Sequence, residues 1–309
     1  MPITVDGHRL EVGLLMGPLA DARTLGRLAA EAERAGFDSL WMGDHVAFPA
    51  PILDPLAVLA CYAAHTRGVR LGTCVYLLAL RHPTPVAKTV ASLDFLAAGR
   101  LVFGIGVGGE FPSEFAACQV PVAERGRRTD EAIAVLRGLW RGDGAGHDGR
   151  FFRIPPVRLA PLPIQAGGPP IWIGGRSDAA LRRAARHGDG WVGYMLDAEG
   201  FRMRMGRARE LAGSRPLAAG LLAFALLEDD EAAARERAAA VLGAMYGRPM
   251  EAAAARYCVL GGAAACRDAV ARYAAAGVEH LILSPLVPGE ALGEQIGALA
   301  AALGLEAER

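Results

Sequence analysis

Hydrophobic positions follow two alternating patterns along most of the chain. Short apolar runs are followed by longer stretches in which apolar residues recur every three or four positions. The first pattern is typical of buried strands and the second of amphipathic helices. The pattern predicts eight strands, at 10–16, 37–42, 69–75, 101–105, 171–173, 190–192, 217–226 and 280–283.

A helix is predicted after each of these strands. Asp54 followed by Pro55, for example, is typical of a helix N-cap and first helical position. The predicted helices lie at 24–35, 54–65, 85–97, 125–140, 177–186, 199–211, 231–245, 263–276 and from residue 290. Repeated strand–helix units of this number predict an α/β fold, a closed parallel (β/α)₈ TIM barrel formed by a single domain over 1–309. An open, doubly wound sheet is the alternative, because a strand count taken from one sequence is easily wrong by one or two.

The alternation stops between residues 141 and 170. This segment is rich in glycine and proline around the hairpin-like sequence HDGRFFRI. We therefore predict an insertion into the barrel here, and we expect it to contribute to the substrate pocket.

Composition narrows the class of protein. The 309 residues include 33 Lys and Arg against 33 Asp and Glu, and a net charge of zero argues against a nucleic-acid or membrane-surface partner. The five cysteines are odd in number and scattered, which favours a reducing cytoplasm over a disulfide scaffold or a metal site. No signal peptide or membrane-spanning run is evident, so a cytoplasmic protein that acts on a small molecule is expected. Among the basic residues Lys88 is the only lysine.

In such a barrel the residues that follow the strands are the candidates for function, because active sites lie at the C-terminal ends of the strands. Strand 2 ends at Asp44 and His45, and a carboxylate beside an imidazole can bind a heterocycle and move a proton near neutral pH. The alternative is that Asp44 only caps a loop and His45 is an ordinary loop histidine. The strand-end position favours the functional interpretation.

Glycine-rich segments follow two other strands. Strand 4 runs into GIGVGGE and then FPSE, and glycines there let backbone approach a flat ligand closely, although the spacing is not that of a dinucleotide-binding fingerprint. Glu110 and Glu114 are candidate acids, and a solvated loop explains either equally well. Strand 5 is followed by GGRS, where free backbone N–H groups, an arginine and a helix N-terminus suit a phosphate, although a tight turn with a good N-cap has the same sequence.

Taken together, these segments resemble the luciferase-like flavin and deazaflavin oxidoreductases, the bacterial luciferase superfamily. The resemblance covers nearly the whole chain and rests on five blocks in family order: AGFDSLWMGDH, HPTPVAKTVASLDFLAAGRLVFGIGVGGEFPSEF, RTDEAIAVLRGLW, HDGRFF and PPIWIGGRSDAALRRAARHGDGWV. It implies a (β/α)₈ barrel, often a homodimer, that binds FMN or the deazaflavin coenzyme F-420. The Asp44–His45 pair looks like that of the coenzyme F-420-dependent branch.

The same resemblance implies roles for individual residues. It places a cis peptide bond that supports the coenzyme ring at Cys74–Val75. It implies coenzyme contacts for Asp44, Thr73, Cys74, Val75, Gly106, Val107, Gly174, Gly175, Arg176 and Ser177. Sugar-phosphate dehydrogenases of this branch carry a glutamate directly after the strand-4 Gly-x-Gly, whereas this chain has Val107 there and Glu110 three residues later. Oxidation of glucose 6-phosphate is therefore disfavoured.

The resulting hypothesis is an enzyme that moves a hydride between coenzyme F-420 and a small organic substrate. Asp44 is expected to bind the ring, His45 to exchange the substrate proton, and Glu110 to act as a further acid. The first alternative is a monooxygenase of the same fold that uses reduced FMN and oxygen. The second is a flavin-binding protein without catalytic activity.

Overall fold

Eight parallel strands form a closed barrel at the centre of the computed structural model, which describes residues 4–5 and 8–306. Each strand pairs in parallel with the next along the chain, and the last returns to the first. They are β1 Glu11–Leu15, β2 Ser39–Met42, β3 Arg70–Thr73, β4 Leu101–Gly106, β5 Ile171–Gly174, β6 Gly190–Tyr194, β7 Ala218–Leu227 and β8 His280–Pro285. The predicted (β/α)₈ barrel is confirmed, and the open-sheet alternative is excluded.

Helices surround the barrel, and several of them follow a residue whose side chain caps the N-terminus. The carboxylates of Asp21, Asp54 and Asp230, for example, accept hydrogen bonds from the first-turn N–H groups of the helices that follow them. The helices are α1 Ala22–Arg34, α2 Pro55–His65, α3 Pro83–Leu96, α4 Pro112–Ala117, α5 Arg125–Arg141, α6 Asp178–His187, α7 Ala198–Ala212, α8 Glu231–Tyr246, α9 Glu251–Tyr257, α10 Ala263–Ala275 and α11 Leu292–Leu303.

Several elements differ from the sequence prediction. Helices α4 and α9 were not predicted, because six or seven residues are too few to show a helical period. The third strand ends at Thr73 rather than at residue 75. The peptide bond at Cys74–Val75 is cis, and a two-residue strand that follows it, Tyr76–Leu77, pairs with β4. A further short strand, Val259–Gly261, extends the sheet beside β7.

Two tryptophans and a histidine pack together inside the barrel. The rings of Trp41 and Trp172 lie 5.4 Å apart, and both contact the His280 ring edge-on. Gly72 on β3 leaves room for this cluster, since a Cβ there would lie 2.3 Å from the Trp41 ring. Both tryptophans are buried, so the barrel is a packed core rather than a pore.

The predicted insertion at 141–170 lies against α3 and α5. Its HDGRFFRI sequence forms the predicted hairpin, in which His147–Asp148 pairs with Arg153–Ile154. Asp94 of α3 accepts hydrogen bonds from Gln165, and the Lys88 amine donates to the carbonyl of Ala160. Within the described part of the chain, no helix is both long and apolar enough to cross a membrane.

Candidate functional site

A cavity of about 260 Å³ opens at the C-terminal ends of the strands, where the barrel geometry predicts an active site. Much of its wall is backbone, because seven of the lining residues are glycines: Gly43, Gly106, Gly108, Gly109, Gly174, Gly175 and Gly193. Four carboxylate or imidazole side chains also line it: Asp44, His45, Glu110 and Glu114. Glycine walls let a flat ligand approach the backbone closely, and titratable groups stand beside that space.

The segment after β3 forms part of this wall. The Cys74–Val75 peptide bond is cis, as the resemblance implied, and both residues line the cavity. The Val75 side chain packs on Gly106 and Gly174, where a Cβ would lie 2.3 Å and 2.6 Å from its γ carbons. Burial raises the pKa of the Cys74 thiol to about 12. Cys74 is therefore a packed cysteine rather than a reactive thiol.

Asp44 is held by a buried ion pair. Its side chain is fully buried, and its two oxygens accept from the Arg81 guanidinium at 2.5 and 2.8 Å. The Leu77 N–H also donates to Oδ2, at 2.8 Å. Burial raises the pKa of Asp44, and the Arg81 charge opposes that shift. The pair connects the end of β2 to the start of α3, so Asp44 holds the two loops together.

His45 lies between two phenylalanines. Its ring stacks on Phe48 with centroids 4.0 Å apart and meets Phe111 edge-on at 5.3 Å. The imidazole is one-quarter exposed and borders the cavity. The two aromatic contacts fix the plane of a side chain that can move protons near neutral pH.

Glu114, one of the two carboxylates noted after β4, faces His45 and is not in a solvated loop. Its side chain is 1% exposed, and both of its oxygens lie 3.2 Å from His45 Nδ1. The backbone N–H groups of Val46 and Ala47 donate to Oε1 at 2.7 and 3.3 Å. The carboxylate thus joins the first turn of α4 to the loop after β2.

The other carboxylate, Glu110, binds a phenol. The Tyr194 hydroxyl donates to Glu110 Oε1 at 2.6 Å, and burial together with this carboxylate raises the pKa of Tyr194. Tyr246, at the end of α8, lines the same cavity, and burial raises its pKa to about 12. Both phenols therefore stay protonated near neutral pH, and each has an O–H group that can donate a hydrogen bond.

The proposed phosphate loop lies only partly at the cavity. Gly174 and Gly175 line it, whereas Arg176 and Ser177 are exposed and do not. Ser177 caps α6 through the Ala180 N–H. The Arg176 guanidinium lies over the Tyr194 ring, 5.2 Å from its centroid, and borders a neighbouring cavity.

Two further expectations differ from the geometry. The Thr73 hydroxyl donates to the Gly104 carbonyl inside the barrel wall and does not line the cavity. No described residue of the 141–170 insertion lines it either, so the expectation that the insertion contributes to this pocket is wrong. The insertion packs against α3 and α5, where Phe152 meets the His82 ring edge-on.

The sequence interpretation did not identify Arg81, Tyr194 or Tyr246 as site residues. Arg81 stands in an RHPTP segment whose prolines explained the turn by themselves. Tyr194 is the last residue of β6, a position that should have drawn attention to it. Tyr246 enters the site from the end of α8, and no local pattern reveals such a long-range contact.

The sequence of the chain is similar to those of known proteins. A family model described as luciferase-like monooxygenase matches residues 4–280. An F420-dependent hydroxymycolic acid dehydrogenase of Mycobacterium tuberculosis is 34% identical over 67% of this chain and 60% of its own length. The oxygenase component of a flavin-dependent trigonelline monooxygenase of Acinetobacter baylyi is 33% identical over 51% of this chain and 44% of its own.

A solved structure has the same architecture. It is an F420-dependent secondary alcohol dehydrogenase in complex with an F420-acetone adduct, with a TM-score of 0.82 and 20% identity. The match covers 97% of this chain and 99% of that protein. At this identity the similarity is one of fold.

Proposed function

Because the chain belongs to the luciferase-like monooxygenase family, we propose that it is an oxidoreductase that moves a hydride between coenzyme F-420 and a small organic substrate. One observation carries the proposal. His45, a side chain able to exchange protons, borders a glycine-walled cavity at the strand ends. The dehydrogenase relative of Mycobacterium tuberculosis supports the choice of coenzyme.

The cavity suits a flat, anionic coenzyme. The backbone at Gly106 and Val107 and the Cys74–Val75 segment would lie against the ring, because all four residues line the cavity. Gly174, Gly175, Arg176 and Ser177 would hold the phosphate at the N-terminus of α6. When bound, the deazaflavin supplies a ring carbon that accepts or gives up a hydride.

Asp44 would bind the coenzyme ring without leaving Arg81. From the residues that the structure describes, Oδ2 accepts two hydrogen bonds, while Oδ1 accepts one, from Arg81 Nη2. Since a carboxylate oxygen can accept two hydrogen bonds, Oδ1 retains one site for a ring N–H. His45 would exchange the substrate proton, and Glu110, with its Tyr194 partner, would act as a second proton-handling group.

The second candidate function is an FMN-dependent monooxygenase of the same family. The trigonelline monooxygenase relative favours it, since its identity to this chain is almost that of the dehydrogenase. The two reactions differ in their co-substrate, because monooxygenation consumes oxygen and hydride transfer does not. Oxygen uptake during turnover therefore separates them.

The direct test is a fluorescence titration of the ligand-free protein with oxidised coenzyme F-420 and, separately, with FMN. We expect micromolar or tighter binding of the deazaflavin and weaker binding of FMN. Preference for FMN would move the assignment to the monooxygenase. Binding of neither would contradict both and would identify the 174–177 loop as wrongly assigned.

A further inference from the structure

The two ring nitrogens of His45 have different surroundings. Nδ1 faces both carboxylate oxygens of Glu114 at 3.2 Å. Among the residues that the structure describes, none forms a hydrogen bond with Nε2. The tautomer of the neutral ring therefore decides whether Nε2 offers the cavity an N–H group or a lone pair.

The surroundings of Glu114 determine where that proton lies. Oε1 accepts from the N–H groups of Val46 and Ala47, and backbone N–H groups can only donate. Two donors on one buried oxygen suit a charged carboxylate, which has no proton to offer. The contact between Glu114 and His45 must then use a proton on Nδ1.

We propose that Glu114 is a positioning residue that holds neutral His45 with its proton on Nδ1 and so presents the Nε2 lone pair to the cavity. The proposal deepens the proposed function and rests on it only in taking this cavity as the place where the reactants meet. The stacking of His45 on Phe48 keeps the ring plane fixed, so the Glu114 contact selects the nitrogen. His45 in this state accepts a proton from a bound O–H group and has none to donate at Nε2.

The test is nuclear magnetic resonance of ligand-free protein labelled with ¹⁵N-histidine, at about pH 8, where an imidazole is ordinarily neutral. The His45 signals are identified by their loss in His45→Asn. We expect Nδ1 to have the chemical shift of a protonated nitrogen and Nε2 that of an unprotonated one. The opposite pattern in the unmodified protein would overturn the proposal without any Glu114 variant.

Glu114→Gln gives a sharper result. The glutamine carbonyl oxygen replaces Oε1 as acceptor for the Val46 N–H, so the amide NH₂ faces His45 Nδ1. Nδ1 must then accept, and the proton moves to Nε2. Reversal of the His45 tautomer is the expected outcome, and an unchanged tautomer in a folded Glu114→Gln protein would refute the proposal.

The chain offers a matched control. Glu131 also accepts backbone donors, from Phe151 and Phe152, and lies 3.4 Å from His147 Nε2, away from the cavity. Glu131→Gln should change the His147 signals and leave those of His45 unchanged. Because the measurement needs no coenzyme, its failure is distinguishable from failure of the proposed function, which the coenzyme titration decides.

Discussion

Individual side chains at the strand ends have distinct tasks that sequence alone did not separate. Asp44 and His45 are neighbours in the chain, yet one is locked in a buried ion pair with Arg81 and the other is partly exposed beside Glu114. Only the second is free to exchange a proton with a ligand. Proton exchange is therefore assigned to His45, and fixation of the loop to its neighbour Asp44.

His45→Asn tests the chemical task. Asparagine keeps a polar side chain of similar reach but cannot act as an acid or base near neutral pH. We expect turnover to fall by about 10²–10⁴-fold, the usual contribution of a positioned proton-transfer group, with coenzyme binding nearly unchanged. The measurement is the steady-state rate beside a coenzyme titration. An unimpaired rate would remove His45 from the mechanism.

Arg81→Leu tests the loop-fixing task. The substitution leaves the Asp44 carboxylate buried without its partner, and breaking a buried pair in this way costs about 3–5 kcal/mol. We expect a loss of that size in the free energy of unfolding, measured by urea titration. The exposed Arg141–Asp143 pair provides the control, because Arg141→Leu should cost less than about 1 kcal/mol. Equal effects of the two variants would contradict this interpretation.

At the scale of elements, hydrophobic periodicity predicts the eight strands and most helices because each buries one face or both. It does not predict α4 and α9, which are too short, or the cis peptide bond, which only the family resemblance indicated. Contacts between distant elements, such as Asp44 with Arg81, leave no periodic signal. The sequence thus locates the site at the strand ends but does not show which residues there are paired.

The contact between β5 and the segment after β3 gives a prediction at this scale. A Cβ at Gly174 would lie 2.6 Å from Val75 Cγ1, and a β-branched side chain cannot easily move away. We expect Gly174→Ala to destabilise the protein by about 1–3 kcal/mol in urea titration. Val75→Ala in the same chain should recover part of that loss, since it removes the γ carbons.

Gly206→Ala is the control for the glycine substitution. Gly206 lies in α7, and among the described residues no neighbouring side chain or other element comes within 4 Å of the position that a Cβ would take there. Alanine at this position should therefore raise stability by up to about 1 kcal/mol through helix propensity. A loss of stability at Gly206 as large as that at Gly174 would mean that the Val75 contact is not the cause.

Over the whole molecule, the two ends of the barrel differ. The cavity opens at the C-terminal ends of the strands, whereas His280 is buried at the N-terminal ends. At the end opposite the cavity, the Trp41 indole donates to Ser39 Oγ, which contacts His280 Nε2, and His280 Nδ1 contacts Glu11, each at 2.7 Å. An indole only donates, so the serine proton points to Nε2 and the neutral ring donates from Nδ1. Burial and the Arg70 charge lower the pKa of His280 to about 3.

This buried imidazole makes stability depend on pH. In the unfolded chain the His280 imidazole takes up a proton below about pH 6.5, while in the folded chain it does so only near pH 3. The contribution of His280 to the free energy of unfolding is therefore fully present above pH 6.5. It falls as the pH decreases, by up to about 1.4 kcal/mol per pH unit. Urea titrations between these values should show a shallower slope for His280→Gln, and identical slopes would contradict the assignment.

Assembly and location are further properties of the whole molecule. The homodimer and the cytoplasmic location, which the family resemblance and the composition favoured, stay predictions. The mass of the purified protein in solution, measured by light scattering, tests the first of them directly against the 32.4 kDa of one chain.

The contact between Lys88 and the insertion has a practical consequence. Since all other basic residues except histidines are arginines, Lys88 carries the only side-chain amine, and it lies where α3 meets the carbonyl of Ala160. An amine-reactive dye therefore has one internal point of attachment, directly beside the insertion. Such a label would report movement of the insertion relative to α3 by fluorescence, without any engineered cysteine.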